Sequence, residues 1–279
     1  MPAPFTRHYG VGKGLGLASA ARYTGVTVNA IDPKTTALLR ENLEQLEQEI
    51  AQACREAARP RAEVELMAVS KTHPAETLAA ADALGLHLMG ENRVQEFGMK
   101  AAELDAQRLR NQQPLRVHLI GHLQSNKSQR AVELFDAVDS VDSLRLAERL
   151  NDAAERLNKR LPILLEIKIS DEESKAGLDP ESRDTAELLE RLPDFAHLHF
   201  EGLMTIAPFG VSDDKTRLCF RTLRDWRDRW AAAHPRLRFD VLSMGMSGDF
   251  DLAIAEGATR IRVGTSLFGR RPYPAKAAQ

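Results

Sequence analysis

From residue 64 onward, short apolar runs alternate with stretches whose apolar positions recur every three or four residues. The runs read VELMAVS, HLMGE, RVHLIG, FDAVDSV, PILLEIKI, HFEGLMTI, FDVLS and RIRVG, the length and texture of strands buried on both faces. Between them, helices are predicted to start near Pro74, Asn92, Asn126, Ser143, Pro180, Asp213 and Gly248. A further helix precedes the first run: from about residue 35, Leu39, Leu43, Leu46, Ile50, Cys54 and Ala57 form one apolar stripe. Roughly eight β-then-α units in series predict a parallel sheet with helices outside, and most naturally a single (β/α)8 TIM-type barrel with an extra N-terminal helix. A doubly wound open sheet alternates in the same way but usually has fewer strands. In a barrel, functional side chains collect at the C-terminal ends of many different strands.

The pattern divides the chain into a barrel over residues 35–273, an N-terminal extension over 1–34 and a short tail over 274–279. Residues 1–31 contain no Asp or Glu and include GVGKGLG. A phosphate loop needs Ser or Thr after its GK, and Lys13 is followed by Gly14. Arg7, Lys13 and Arg22 without acidic neighbours also fit an organelle transit peptide, with a poorly ordered extension as the plainer expectation.

Composition narrows the function class. The chain is 43% hydrophobic and 28% charged with a net charge of −2, so it can bury a core and has no basic footprint for nucleic acid. Cys54 and Cys219 fall in helical patterns far apart, without metal-ligand spacing, which predicts buried thiols in a reduced, cytoplasmic protein. No apolar stretch reaches membrane-spanning length. Cys219, Leu223, Trp226 and Trp230 lie at helical spacing and read as a core seam.

The strand ends carry the chemistry. VELMAVSKTHP breaks from apolar residues into Lys71, and alternation puts Met67, Val69 and Lys71 on one face. A free ammonium has a pKa of about 10.4 and is costly to bury unpaired. Lys71 is therefore either at a wet mouth, as a plain surface lysine, or a reactive amine. After the second run, GENRVQE offers Asn92 as a helix cap or a ligand contact, with Glu96 placed to close the first turn. His118 and His122 flank Gly121 in a strand setting that does not suit zinc. The acidic loop SDEESK reads as solvated, with Lys175 able to reach over the mouth.

The strongest signal is SMGMSGDFDLAIAEGATRIRVGTSLFG, residues 243–269. Gly245, Ser247 and Gly248 lead into a helix, and RIRVG opens into Gly264, Thr265 and Ser266. Barrels often hold a phosphate between the loops after their last two strands. Asp249 and Asp251 would repel a phosphate and are expected to point away. Arg260, Arg262 and Gly264 share one face, and Arg262 needs an acceptor: a carboxylate on the barrel floor, such as Glu65 or Glu166, or a ligand. One lysine, one interior arginine and a phosphate cradle suit pyridoxal 5′-phosphate. Its aldehyde would form a Schiff base with Lys71, its phosphate would sit on Ser247, Gly264 and Thr265, and Arg262 would face its ring nitrogen.

AVSKTHP, GENRVQE, HLIGHLQSNK, SDEESKAG, GLMTI, SMGMSGD and RVGTSLFG, in this order, resemble the pyridoxal phosphate homeostasis protein family over residues 35–273. The resemblance implies one barrel like the N-terminal domain of alanine racemase, with the cofactor on Lys71 and with Asn92, Ser247, Arg262, Gly264 and Thr265 lining its site. Arg93, His122 and Gly248 depart from the family, which often has Tyr, Pro and a polar residue there.

A racemase needs two positioned bases. Lys71 supplies one. The tyrosine that supplies the other in alanine racemase-like enzymes comes from a second domain, and Tyr9, Tyr23 and Tyr273 have no such context. The expectation is a non-catalytic protein that buffers or carries pyridoxal phosphate, passing it transiently to apo-enzymes, as a monomer or weak dimer. A racemase and a Schiff-base aldolase are the alternatives.

Overall fold

The computed structural model describes residues 32–111, 115–169 and 176–269, the side chains of 105–111 excepted. The predicted extension before residue 32, Lys175, the tail and all three tyrosines lie outside the described residues.

All eight predicted strands form. They are β1 (Glu65–Val69), β2 (Leu88–Glu91), β3 (Arg116–Leu119), β4 (Ala137–Val141), β5 (Leu161–Glu166), β6 (Leu198–Met204), β7 (Val241–Ser243) and β8 (Arg260–Val263). They pair in parallel and in sequence order into a closed barrel. β1 closes on β8 with Glu65 opposite Arg260 and Met67 opposite Arg262.

Around the barrel run α1 (Pro33–Glu56), α2 (Ala75–Ala83), α3 (Val94–Asn111), α4 (Ser128–Leu134), α5 (Leu144–Arg156), α6 (Arg183–Arg191), α7 (Asp213–Ala233), α8 (Phe250–Ala255) and the short α9 (Thr265–Phe268). Their starts follow local chemistry. Asp32 caps α1 by accepting from the amides of Lys34 and Thr35, with Pro33 in the first turn. Ser143 and Ser182 cap α5 and α6 through the amides of Leu146 and Thr185.

Four starts fall two or three residues past the expected positions, α4 at Ser128 rather than Asn126 and α6 at Arg183 rather than Pro180 among them. α3 begins at Val94 rather than Asn92, and Glu96 does not close its first turn but accepts from the amide of Thr72, on the loop after β1. α8 begins at Phe250 rather than Gly248, because Asp249 turns back to accept from the Met246 amide.

The strand faces separate as alternation requires. Leu66 and Ala68 join the large core between barrel and helices, while Met67 and Val69 meet Leu88 and Ile120 inside the barrel. In β6 the period breaks. The register with β5 shifts so that Ile163 faces Phe200 and Leu164 faces Gly202, the signature of a bulge. Gly202 has φ 151° there, and any Cβ would collide with the backbone of Val241. The bulge lets Leu198, Phe200 and Leu203 all reach the outer core while Met204 turns inward.

α1 ties the ends of the chain together, packing against α2, α8 and α9. Asn42 donates to the carbonyl of Leu267, and Arg59 donates to the carbonyls of Ile254 and Ala258 at the end of α8, where helix carbonyls lack internal partners. Cys54, Cys219, Leu223 and Trp230 are buried, as their spacing predicts. No described helix is long and apolar enough to cross a membrane.

Because the collision at Gly202 is with backbone and no rotamer relieves it, Gly202→Ala is expected to cost about 3 kcal/mol or more. Urea unfolding should show a lower midpoint, and an unchanged midpoint would disprove the account of the bulge.

Candidate cofactor site

At the C-terminal mouth of the barrel lies a cavity of about 660 Å³. Lys71, Asn92, Ser247, Arg262, Gly264 and Thr265 all border it. Strand order explains how residues so distant in sequence meet. They follow or lie on β7, β8, β1 and β2, which are contiguous in the ring.

Lys71 stands one step beyond Val69 and Ser70 in a tight turn. The amide of His73 donates to the Ser70 carbonyl at 3.0 Å, and Thr72 adopts φ 70°. Those are the marks of a type II turn with Lys71 and Thr72 at its centre. Asn92 is not a helix cap. It borders the cavity, and Gly121 packs so closely on its carbonyl that a Cβ at 121 would collide with it.

The anion cradle has physical substance. Among the described residues, the backbone N–H groups of Ser247, Gly248 and Gly264 donate to no protein acceptor. Amides left open at one mouth are what a phosphate satisfies. Gly245 holds the first loop at φ 89° against α8, where a Cβ would lie 2.5 Å from that of Ala253. Asp249 accepts from the Met246 amide at 2.5 Å, so its carboxylate is held by the loop itself. These features fit pyridoxal phosphate.

Arg262 is buried, and its partners differ from the expected carboxylates. Its guanidinium donates to the Ser243 hydroxyl and the Thr205 carbonyl, both at 2.8 Å. A guanidinium has five N–H groups, so donor capacity remains, and Arg262 borders the cavity. Burial works against its charge, while Asp139, Glu166 and Asp249 support it.

Glu65 instead serves Arg260 at 2.9 Å and Arg116 at 2.7 Å. Asp139 holds Arg260 at 3.2 Å and His118 at 3.0 Å. Burial alone would raise the Asp139 carboxyl, but His118 and Arg260 outweigh it and hold it below the usual range. These groups form the barrel floor. His118 is therefore structural, and no cluster of three or more metal-ligating side chains occurs among the described residues.

Glu166 is not on that floor. As the last residue of β5 it borders the cavity mouth, across the eight-strand ring from β1. Its pKa is pushed up to about 7, by burial first and then by the like charge of Asp142, against the pull of Arg262 and His122. Lys168 and His122 border the same cavity, and Asp142 orients His122 through a 2.9 Å contact to Nδ1. Strand-end reading missed Glu166 and Lys168 as mouth residues, although alternation from Leu164 points both inward. Phe209, 98% exposed, Ile206 and Met246 give the rim an apolar edge.

A family model described as the alanine racemase N-terminal domain matches residues 42–272. The pyridoxal phosphate homeostasis protein of Pasteurella multocida is 40% identical over 237 residues, covering 84% of this chain and 98% of that protein. The protein of the same name from Escherichia coli K12 is 38% identical over 244 residues, covering 85% and 99%. The chain belongs to the pyridoxal phosphate homeostasis protein family. Another similar protein, PipY of Synechococcus elongatus, has a structure with pyridoxal phosphate bound. It matches with TM-score 0.70 and 41% identity, covering 83% of this chain and 100% of that one. Alanine racemase from Streptomyces coelicolor, at 22% identity and TM-score 0.61, shares the family's fold.

Glu166 makes stability depend on pH with a definite sign. Its folded-state pKa of about 7 lies above its ordinary 4.5, so its contribution to stability is complete below about 4.5 and is lost as pH rises through 7. The loss is on the order of 3 kcal/mol. For the ligand-free protein, Glu166→Gln should remove this loss and raise stability at pH 8 relative to pH 5. Denaturant unfolding at the two values checks it, and parallel pH profiles for wild type and variant would refute it.

Proposed function

We propose that this protein binds pyridoxal 5′-phosphate through Lys71 and serves to buffer and carry it, and that its role is cofactor homeostasis rather than turnover. One observation carries the reading: the Lys71 side chain, the open amides of Ser247, Gly248 and Gly264, and the Arg262 guanidinium share one cavity. The names of the relatives and the pyridoxal phosphate bound to PipY support it.

Each residue then has a task. Ser247, Gly264 and Thr265 hold the phosphate through backbone amides and hydroxyls. Asn92, the residue after β2, contacts the ring substituents from the cavity wall. Arg262, being permanently charged, donates toward the ring nitrogen and disfavours a proton there, which weakens the ring as an electron sink. Bound, the cofactor supplies an aldehyde whose carbon bonds the lysine nitrogen with loss of one water. Binding of this kind is reversible, which suits storage and transfer to apo-enzymes.

Amino-acid racemisation is the second reading, and Glu166 favours it. A carboxyl near neutral pKa, across the mouth from Lys71, is suited to be a second base.

The deciding experiment is the absorbance of the purified protein with pyridoxal phosphate before and after borohydride, with mapping of the modified peptide. Modification is expected at Lys71. Lys71→Ala should abolish the covalent adduct and weaken retention about 100-fold, roughly 2.7 kcal/mol. Adduct on another lysine would overturn the assignment. Exchange of an amino acid's α-hydrogen with solvent deuterium, lost in both Lys71→Ala and Glu166→Gln, would favour the racemase.

A further inference from the structure

Behind Lys71, on the outer side of the barrel wall, a second lysine is buried. Lys100 on α3 is 8% exposed. Its ammonium lies 2.7 Å from Glu91 Oε1, 2.9 Å from the His73 carbonyl and 3.3 Å from the Ser70 carbonyl. An ammonium has three protons, and here three acceptors take them. Two of these acceptors, Ser70 and His73, are the first and last residues of the turn whose centre is Lys71 and Thr72.

That turn needs a restraint. Thr72 has φ 70°, a conformation that suits glycine and strains a β-branched residue. Glu96, one helical turn before Lys100 on the same face of α3, accepts from the Thr72 amide at 2.5 Å. The Ser70 hydroxyl donates to Glu91 Oε1 at 2.7 Å, so the start of the turn is held by backbone and side chain together. Glu91 is fully buried, and its Oε2 has no hydrogen-bond partner among the described residues. Burial is the largest influence on its carboxyl and raises it, the Lys100 charge opposing. Such a group is costly to keep in a stable fold, and it holds Lys100 where the two carbonyls can use it.

We infer that Lys100, anchored by Glu91, is a positioning residue that holds the 70–73 turn so that the Lys71 amine is presented to the aldehyde of the cofactor. The inference rests on the pyridoxal phosphate reading. It also separates the two lysines by place: Lys100 is shut behind the wall, and Lys71 borders the cavity.

The test compares two ligands that share ring and phosphate: pyridoxal 5′-phosphate and pyridoxine 5′-phosphate, whose alcohol replaces the aldehyde. Pyridoxine phosphate reads the cradle alone, and the difference between the two reads the placement of Lys71. Lys100→Met keeps the length of the chain and leaves Glu91 free to take a proton. Its affinity for pyridoxal phosphate should fall about tenfold or more, with affinity for pyridoxine phosphate within twofold of wild type. An equal fall for both ligands would show a general structural role and overturn the inference, as would no change for either. Should Lys100→Met not fold, Glu96→Gln carries the test. It should show the same selective fall, about threefold, and a non-selective or absent effect would count against the inference. Wild-type protein that binds both ligands equally and yields no borohydride-stable adduct at Lys71 would remove the cofactor reading itself. Normal wild-type selectivity untouched by the variants would remove only the role of Lys100.

Discussion

Two guanidiniums inside a closed barrel set the terms for the rest of this structure. Arg260 and Arg262 are consecutive inward positions of the closing strand β8, 3% and 4% exposed, and neither can shed its charge at physiological pH. Each must find acceptors from other strands. Arg260 draws Glu65 from β1 and Asp139 from β4 into the floor. Arg262, one layer higher, draws Ser243 from β7 and the Thr205 carbonyl after β6. Closure of β8 on β1 thus brings Glu65 to Arg260, while the upper arginine is held by the β6–β7 side and borders the cavity above it.

The mouth divides into two halves with different duties. The contiguous sector from β7 through β8 and β1 to β2 supplies an amine, open amides and a guanidinium, the set that an aldehyde with a phosphate requires. The opposite sector, from β3 to β6, supplies Glu166, Lys168 and the His122–Asp142 pair. These are titratable groups to which the proposed cofactor reading assigns no task. A protein that only stored a cofactor would need the first sector alone, so the second is where any difference between storage and turnover has to reside.

Strain and burial concentrate around the Lys71 turn. A left-handed threonine, a buried carboxylate with one oxygen unpaired among the described residues and a buried ammonium are each unfavourable in isolation. Together they are mutually satisfying, because α3 packs one face of itself against the back of β1 and β2. The helix that follows β2 thereby restrains the loop that follows β1, a coupling between neighbouring units that neither unit contains.

Much of this was legible in the sequence, for local reasons. Strand periodicity gave all eight strands, the inward direction of Met67, Val69 and Lys71, and the glycine-rich ends of β7 and β8, since alternation and turn chemistry act over a few residues. Resemblance of ordered motifs supplied the family. What only the tertiary structure decided was partnership: that Glu65 serves Arg260 while Arg262 takes a hydroxyl and a carbonyl, that Glu96 reaches Thr72 instead of capping its own helix, that Glu166 stands at the mouth near neutrality, and that Lys100 lies beneath Lys71. The energy of a charge depends on its depth and on the charges nearest to it in space. Both are set when the barrel closes, beyond the reach of any pattern along the chain.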